Sequence, residues 1–430
     1  MVPEEWLKFS PKPKELTGNE KWNVFLSYRS VNRGWVLNLY DVLTELGYKV
    51  FLDQYVLKSG DTLIEVLQNG LAESQSGVLI WSHAAGESDW VKKEYYFLLT
   101  KATNNPDFRF VPVRIDRAPL PGFADLQIFI DFSEYPDGPN GGDLLRLLHG
   151  IVGKPLSPEA VRFAFEQDEA AGIEAAKISA AVRNKRPDRL LQLFRDGGLP
   201  WKTTAALACK SAEGLTKLGN NDEAIEILNK IGELFPKAIR PKQLKALALA
   251  RRGQNNDLND AQDILGELYE LNHLDPETLG IYGRTCMDRY KKSGDLKDLR
   301  ESRNLYELGF TKVPSDYYTG INAASKSILL GEIEKGSSLA LLVEAIVGKD
   351  AIPGDYWKTA TVAETFLIQK KFKEAAQMYQ NAVDIAPAET ASHQSTWSQA
   401  KNLMEKLKPS EEEYLAIKNA FKTLNGFPEI

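Results

Sequence analysis

Cysteine and histidine are scarce in this chain: two cysteines, Cys209 and Cys286, and four histidines in 430 residues. Two cysteines cannot build the disulfide framework of a small secreted domain, so a reducing cytoplasm is the expected location. The histidines do not cluster, so no metal site is expected. No apolar run reaches the length needed to cross a bilayer. The N-terminal segment carries Glu4, Glu5, Lys8, Lys12, Lys14 and Glu15, unlike a secretory signal. An excess of positive charge is also missing. The net charge of -6 argues against a general nucleic-acid coat and against binding to an anionic membrane surface. No glycine-rich phosphate fingerprint follows the first apolar run, which argues against a Rossmann-type dehydrogenase. What remains is 43% hydrophobic and 26% charged residues, ordinary for a globular chain of two or three domains.

The first half alternates strand and helix. Short apolar runs at 23–27, 48–52, 77–81, 108–113 and 127–131 read as strands. Helical spacing covers 33–46, 62–71, 89–100 and 143–152, and Gly47 ends the first of these. Such alternation predicts an α/β domain with a parallel five-stranded sheet, covered on both faces. Ligands of such sheets sit beyond the carboxyl ends of the strands. Ser27 to Ser30, Asp53 and Ser82 fall at those ends.

Two segments carry candidate chemistry: Phe25-Leu26-Ser27-Tyr28-Arg29-Ser30 and Asp89-Trp90-Val91-Lys92-Lys93-Glu94. The second opens a helix with Ser88 or Asp89 as N-cap. Trp90 and Glu94 then share one helical face, an aromatic plate beside a carboxylate. By themselves these residues favour a plain reading, with Trp90 in the core and Glu94 solvated or paired with a lysine. The surrounding pattern reverses that preference. Arg29 suits a phosphate, a base or a surface salt bridge. Tyr28 suits a lid or a core edge, and Asp53 a turn anchor.

Residues 21–153 resemble a TIR (Toll/interleukin-1 receptor) domain, which implies a flavodoxin-like α/β fold. Phe25 to Ser30 is similar to the family's first box. Phe51-Leu52-Asp53 and the loop to Gly60 are similar to its second box and BB loop. Ser88 to Glu94 is similar to the motif carrying the glutamate in TIR domains that cleave NAD. The resemblance implies that Glu94 is catalytic, with Tyr28, Arg29, Ser30, Asp53, Gly60, Thr62, Ser82 and Trp90 around the nucleotide. It departs at Thr62, where animal NAD-cleaving members often place an aromatic residue. Nicotinamide stacking would then fall to another residue or to a neighbouring subunit. The implied chemistry breaks the nicotinamide–ribose bond through an oxocarbenium-like transition state. Nicotinamide leaves neutral and needs no proton, so one carboxylate that stabilises the growing ribose charge can suffice. NAD is substrate here, and no cofactor is expected.

After Pro155 the strand signal disappears. Helical patterns run 158–183 and 187–194, and from Trp201 they pair, closing at Pro236, Pro276, Pro314 and Pro387. Tetratricopeptide units run about 34 residues. The expected organisation is an N-terminal extension at 1–20, the α/β domain at 21–153, a helical linker at 154–200, an all-α, TPR-like solenoid of five units at 201–408 and a helical cap at 409–430. Segments 275–284 and 316–322 resemble the TPR-containing "TRAFs-binding" region of apoptosis signal-regulating kinases, and more so bacterial proteins joining a TIR domain to that region. Arg284, Tyr317, Tyr318 and Asn322 read as helix-packing residues or as a ligand pocket, with packing favoured.

The resemblance implies a cytoplasmic NAD hydrolase that assembles through its TIR domains. It would act as an inducible bacterial anti-phage effector, with an unknown trigger on the helical region. Cyclisation of ADP-ribose is a further option for the product. The rival class is a non-enzymatic scaffold, with TIR for homotypic contacts and TPR for partners.

Overall fold

The computed structural model describes residues 3–52, 63–86, 88–122, 129–133, 138–254, 256–387 and 389–421. It divides into two compact units, Met1–His273 and Leu274–Ile430.

The first unit begins with a short helix, Glu4–Leu7, that the sequence pattern does not announce. Five parallel strands follow: β1 (Val24–Ser27), β2 (Val50–Phe51), β3 (Ser76–Trp81), β4 (Arg109–Arg114) and β5 (Ile130–Asp131), ordered β2-β1-β3-β4-β5. The sheet is parallel as expected, and this doubly wound order puts its switch point between β1 and β3. The second strand is shorter than the apolar run around it, because only Val50 and Phe51 find partners on β1.

Side chains alternate across the sheet. Val24 and Leu26 enter one core with Val78, Ile80, Val111 and Val113, beneath the Arg33–Glu45 and Gly141–Val152 helices. Phe25, Phe51, Leu79 and Trp81 enter the other, beneath the Leu63–Ala72 and Asp89–Asn104 helices. Both faces are dry, so the strands read as continuous apolar runs rather than as alternation. Ser27 shares the Phe25 face by the same period of two.

Helices then take over: Pro158–Arg183, Pro187–Arg195, Pro200–Thr203, Ala206–Lys217, Asn221–Leu234, Ile239–Arg252 and Asp257–Glu270. Those that touch the α/β domain are tied by specific contacts. A Cβ at Gly142 would stand 2.1 Å from the Ala164 carbonyl oxygen, so only glycine lets the Gly141–Val152 and Pro158–Arg183 helices approach this closely. Arg146 Nη1 donates to Asp143 Oδ1 and Asp168 Oδ2, both at 2.7 Å. Asp41, on the Arg33–Glu45 helix, accepts the Ile239 backbone N–H at 3.0 Å and so caps the Ile239–Arg252 helix. Burial pushes the Asp41 carboxyl well above the usual range, although backbone N–H groups of Ile239 and Arg240 oppose the shift.

The second unit is a run of packed helix pairs: Pro276–Ser293 with Leu296–Lys312, Tyr317–Leu329 with Ile333–Val347, and Tyr356–Ile368 with Phe372–Ile385. The first helix of each pair opens on a capping aspartate. Asp275 accepts the Thr278 N–H at 3.0 Å, Asp316 that of Thr319 at 2.9 Å and Asp355 that of Lys358 at 2.9 Å. Past Pro387 two helices follow, Thr390–Leu407 within the segment read as solenoid and Glu411–Ala420 within the segment read as a cap, and Leu403, Met404, Ile417 and Phe421 close the core. Among the described residues no helix is long and apolar enough to cross a membrane.

Candidate active site

The Asp89–Asn104 helix brings the candidate glutamate to the sheet. Its N-cap is Ser88, whose side chain accepts the Val91 N–H. Val91, Tyr95 and Leu98 form the buried stripe, at 1%, 2% and 0% exposure. That is the i, i+4, i+7 face of an amphipathic helix. Glu94 lies on the same stripe and is 9% exposed. A carboxylate at a core-facing position is costly unless it is hydrogen-bonded.

The partner is Ser27, at the carboxyl end of β1. Its hydroxyl, itself 1% exposed, donates to Glu94 Oε2 at 2.6 Å. Glu94 therefore stands at the end of the central strand, beside the β1/β3 switch point. A cavity of about 130 Å³ adjoins it, lined by Phe25, Leu67, Gln68, Leu71, Lys93, Glu94 and Phe97. The arrangement holds one oriented carboxylate in a largely apolar recess. Opposite charge developing on a bound ligand would be felt strongly there, because little water screens it.

The other expected residues divide. Arg29 reaches across to the helix start, with Nη1 at 3.4 Å from Ser88 Oγ. Tyr28 is half-buried against the core, and Ser30 opens a single turn of 3-10 helix, Ser30–Asn32. Ser82 is engaged structurally. Its hydroxyl donates to Asn32 Oδ1 at 2.8 Å and accepts the Ala85 N–H at 3.1 Å, opening a short helix, His83–Gly86. His83 Nδ1 lies 3.1 Å from Asp116 Oδ2. Of the two lysines beside the glutamate, Lys92 turns to Asp89 at 3.6 Å, while Lys93 lines the cavity. Trp90 lies in the first helical turn, with its side chain outside the described residues. Asp53, Gly60 and Thr62 also lie outside the described residues.

Sequence reasoning did not single out Ser27 as the partner of Glu94. The available signal was a serine ending an otherwise apolar strand on the Phe25 face.

Among the described residues, no group of three or more His, Cys, Asp and Glu side chains could hold a metal ion.

Residues 24–147 match the TIR domain family, and residues 212–330 match the family described as Tetratricopeptide Repeats-Sensor. The chain is similar to the probable 2' cyclic ADP-D-ribose synthase TcpB of Brucella melitensis biotype 1, 32% identical over 80 residues, which are 18% of this chain and 32% of that protein. It is similar to the NAD(+) hydrolase TcpA of Theionarchaea archaeon, 28% identical over 95 residues, covering 22% and 29% of the two chains. It is also similar to the 2' cyclic ADP-D-ribose synthase AbTIR of Acinetobacter baumannii, 29% identical over 85 residues, covering 20% and 32%. The chain thus spans about a third of the length of these curated relatives. It carries a TIR domain, a parallel five-stranded α/β fold, followed by a TPR-type helical region.

Proposed function

We propose that this protein cleaves the nicotinamide–ribose bond of NAD+ in its TIR domain, and that the TPR-type region controls when it does so. The observation that carries the reading is the buried Glu94 carboxylate, oriented by Ser27 beside the cavity at the β1/β3 switch point. As the C–N bond lengthens, the electron pair leaves with nicotinamide and positive charge grows on the ribose. Glu94 stabilises that charge and binds ribose hydroxyls. Water then adds to the anomeric carbon and loses a proton, giving ADP-ribose. Capture by a hydroxyl of the same molecule would give a cyclic product instead. The activities named for TcpB and AbTIR favour keeping that second outcome in view.

Constant NAD+ cleavage would poison the cell, so control is needed. We read the active state as an assembly of TIR domains within a bacterial defence response. Tyr96 and Phe97 support this reading: they stand 64% and 46% exposed on the catalytic helix, with Phe97 at the cavity. Exposed aromatic residues of this kind suit a contact surface.

The test is purified protein incubated with NAD+, with products separated by chromatography. Glu94→Gln should keep fold and assembly and lose turnover by about a hundredfold or more, the scale for losing one transition-state charge contact. Near-wild-type turnover in that variant sinks the assignment. A wild-type protein inert in every assembled state would favour the scaffold reading.

A further inference from the structure

The second unit buries an ammonium and a carboxylate on neighbouring helices without pairing them. Lys326, on the Tyr317–Leu329 helix, is 3% exposed, and Glu364, on the Tyr356–Ile368 helix, is 9% exposed. Lys326 Nζ donates to Asn322 Oδ1 at 2.7 Å and, more weakly, to Gln399 Oε1 at 3.4 Å, and it stands 5.4 Å from the centre of the Tyr306 ring. Among the described residues no carboxylate forms an ion pair with it. Glu364 Oε1 accepts from Gln399 Nε2 at 2.9 Å and from the Ser325 hydroxyl. The Gln399 amide, on the Thr390–Leu407 helix, thus stands between the two charges, its oxygen towards Lys326 and its nitrogen towards Glu364.

A purely structural pair would close to direct contact, because burying two separated charges costs more than it returns. Here they are held apart by a neutral group. Arg284, on the Pro276–Ser293 helix, is 40% exposed and 3.7 Å from Asp288, and its charge acts on Lys326. The Tyr379 hydroxyl is also buried and has no hydrogen-bond partner among the described residues; burial, with the Glu364 charge, pushes it well above its usual range. Arg284, Lys326 and Glu364 come from the first helices of three successive pairs, which touch one another in the fold.

We propose that this face of the second unit binds a small molecule bearing an acid group and, a few ångströms away, a hydroxyl or amino donor. The acid lies against Lys326 with Arg284 at the rim, and the donor against Glu364. A sugar phosphate and an amino acid share this chemistry. The proposal deepens the regulatory reading of the helical region. It is tested by binding alone, with no NAD+ present, so it can fail while NAD+ cleavage stands, and the reverse.

The experiment titrates the full chain with ribose 5-phosphate in one arm and glycine in the other, followed by calorimetry and thermal shift. One arm should bind, with a dissociation constant in or below the millimolar range. Lys326→Met and Glu364→Gln should each weaken that binding at least tenfold, while Arg300→Met, on an exposed position elsewhere in the unit, should not. Both site variants are close in shape to the residues they replace, and circular dichroism confirms that they remain folded. No binding in either arm up to about 10 mM, or unchanged affinity in both site variants, overturns the proposal.

Discussion

Replacing Ser27 by alanine isolates the contact that orients the candidate catalytic carboxylate. The Ser27 hydroxyl donates to Glu94 Oε2 at 2.6 Å, and both residues are buried. A hydrogen bond to a charged group is worth about 1.5–3 kcal/mol, and its loss leaves a desolvated oxygen without that donor. If the whole amount appears in the transition state, kcat falls about 10- to 100-fold, since about 1.4 kcal/mol is a factor of ten. The same loss in the ground state lowers the melting temperature of the first unit by about 3–12 °C. NAD+ turnover at saturating and dilute substrate separates the two: a positioning defect lowers kcat with little change in KM. Ser27→Thr keeps a hydroxyl and should recover most of the rate. Undiminished kcat and melting temperature in Ser27→Ala would refute the view that this contact holds Glu94 in place.

Lys326→Met should stabilise the second unit at neutral pH. Burial lowers the Lys326 ammonium to about 8 from 10.5, so its charge costs up to about 3 kcal/mol below pH 8. That cost fades between 8 and 10.5 as the unfolded chain also loses the proton, so denaturant titrations of the two proteins should converge above that window. Gly142→Ala should destabilise the first unit by about 1–3 kcal/mol, because the new Cβ meets the Ala164 backbone at 2.1 Å; an unchanged thermal midpoint would contradict the close helix approach. Asp41→Asn keeps an acceptor for the Ile239 N–H and removes a buried charge, so it should match or exceed wild-type stability at pH 7. Because burial raises the Asp41 carboxyl, its contribution to stability is present in acid and lost as pH rises, and the difference between wild type and the Asp41→Asn variant should shrink towards pH 3.8. A wild-type advantage at pH 7 would show that the charge itself stabilises the cap.

Local patterns were enough for most of the elements and for the helix that carries Glu94. Apolar runs about every 25 residues, separated by helical spacing, specify a parallel sheet because only burial on both faces makes such runs stable. Ser88 before Asp89 starts the Asp89–Asn104 helix because its side chain satisfies a free N–H, and four-residue spacing places Trp90 and Glu94 one turn apart. Asp275, Asp316 and Asp355 start the first helices of the later pairs for the same reason. All of this acts within a few residues, where backbone geometry leaves few alternatives. The tertiary structure decided what those elements meet. It brought Ser27 to Glu94 across 67 residues, Lys326 to Gln399 across 73 and Asp41 to the Ile239 N–H across 198. It trimmed β2 to the residues with strand partners, and added the Thr390–Leu407 helix, which covers apolar surface on the preceding pairs. Spacing along a chain states which face a side chain takes, whereas a buried charge needs a particular donor at hydrogen-bond distance, and only the packing of distant segments supplies it.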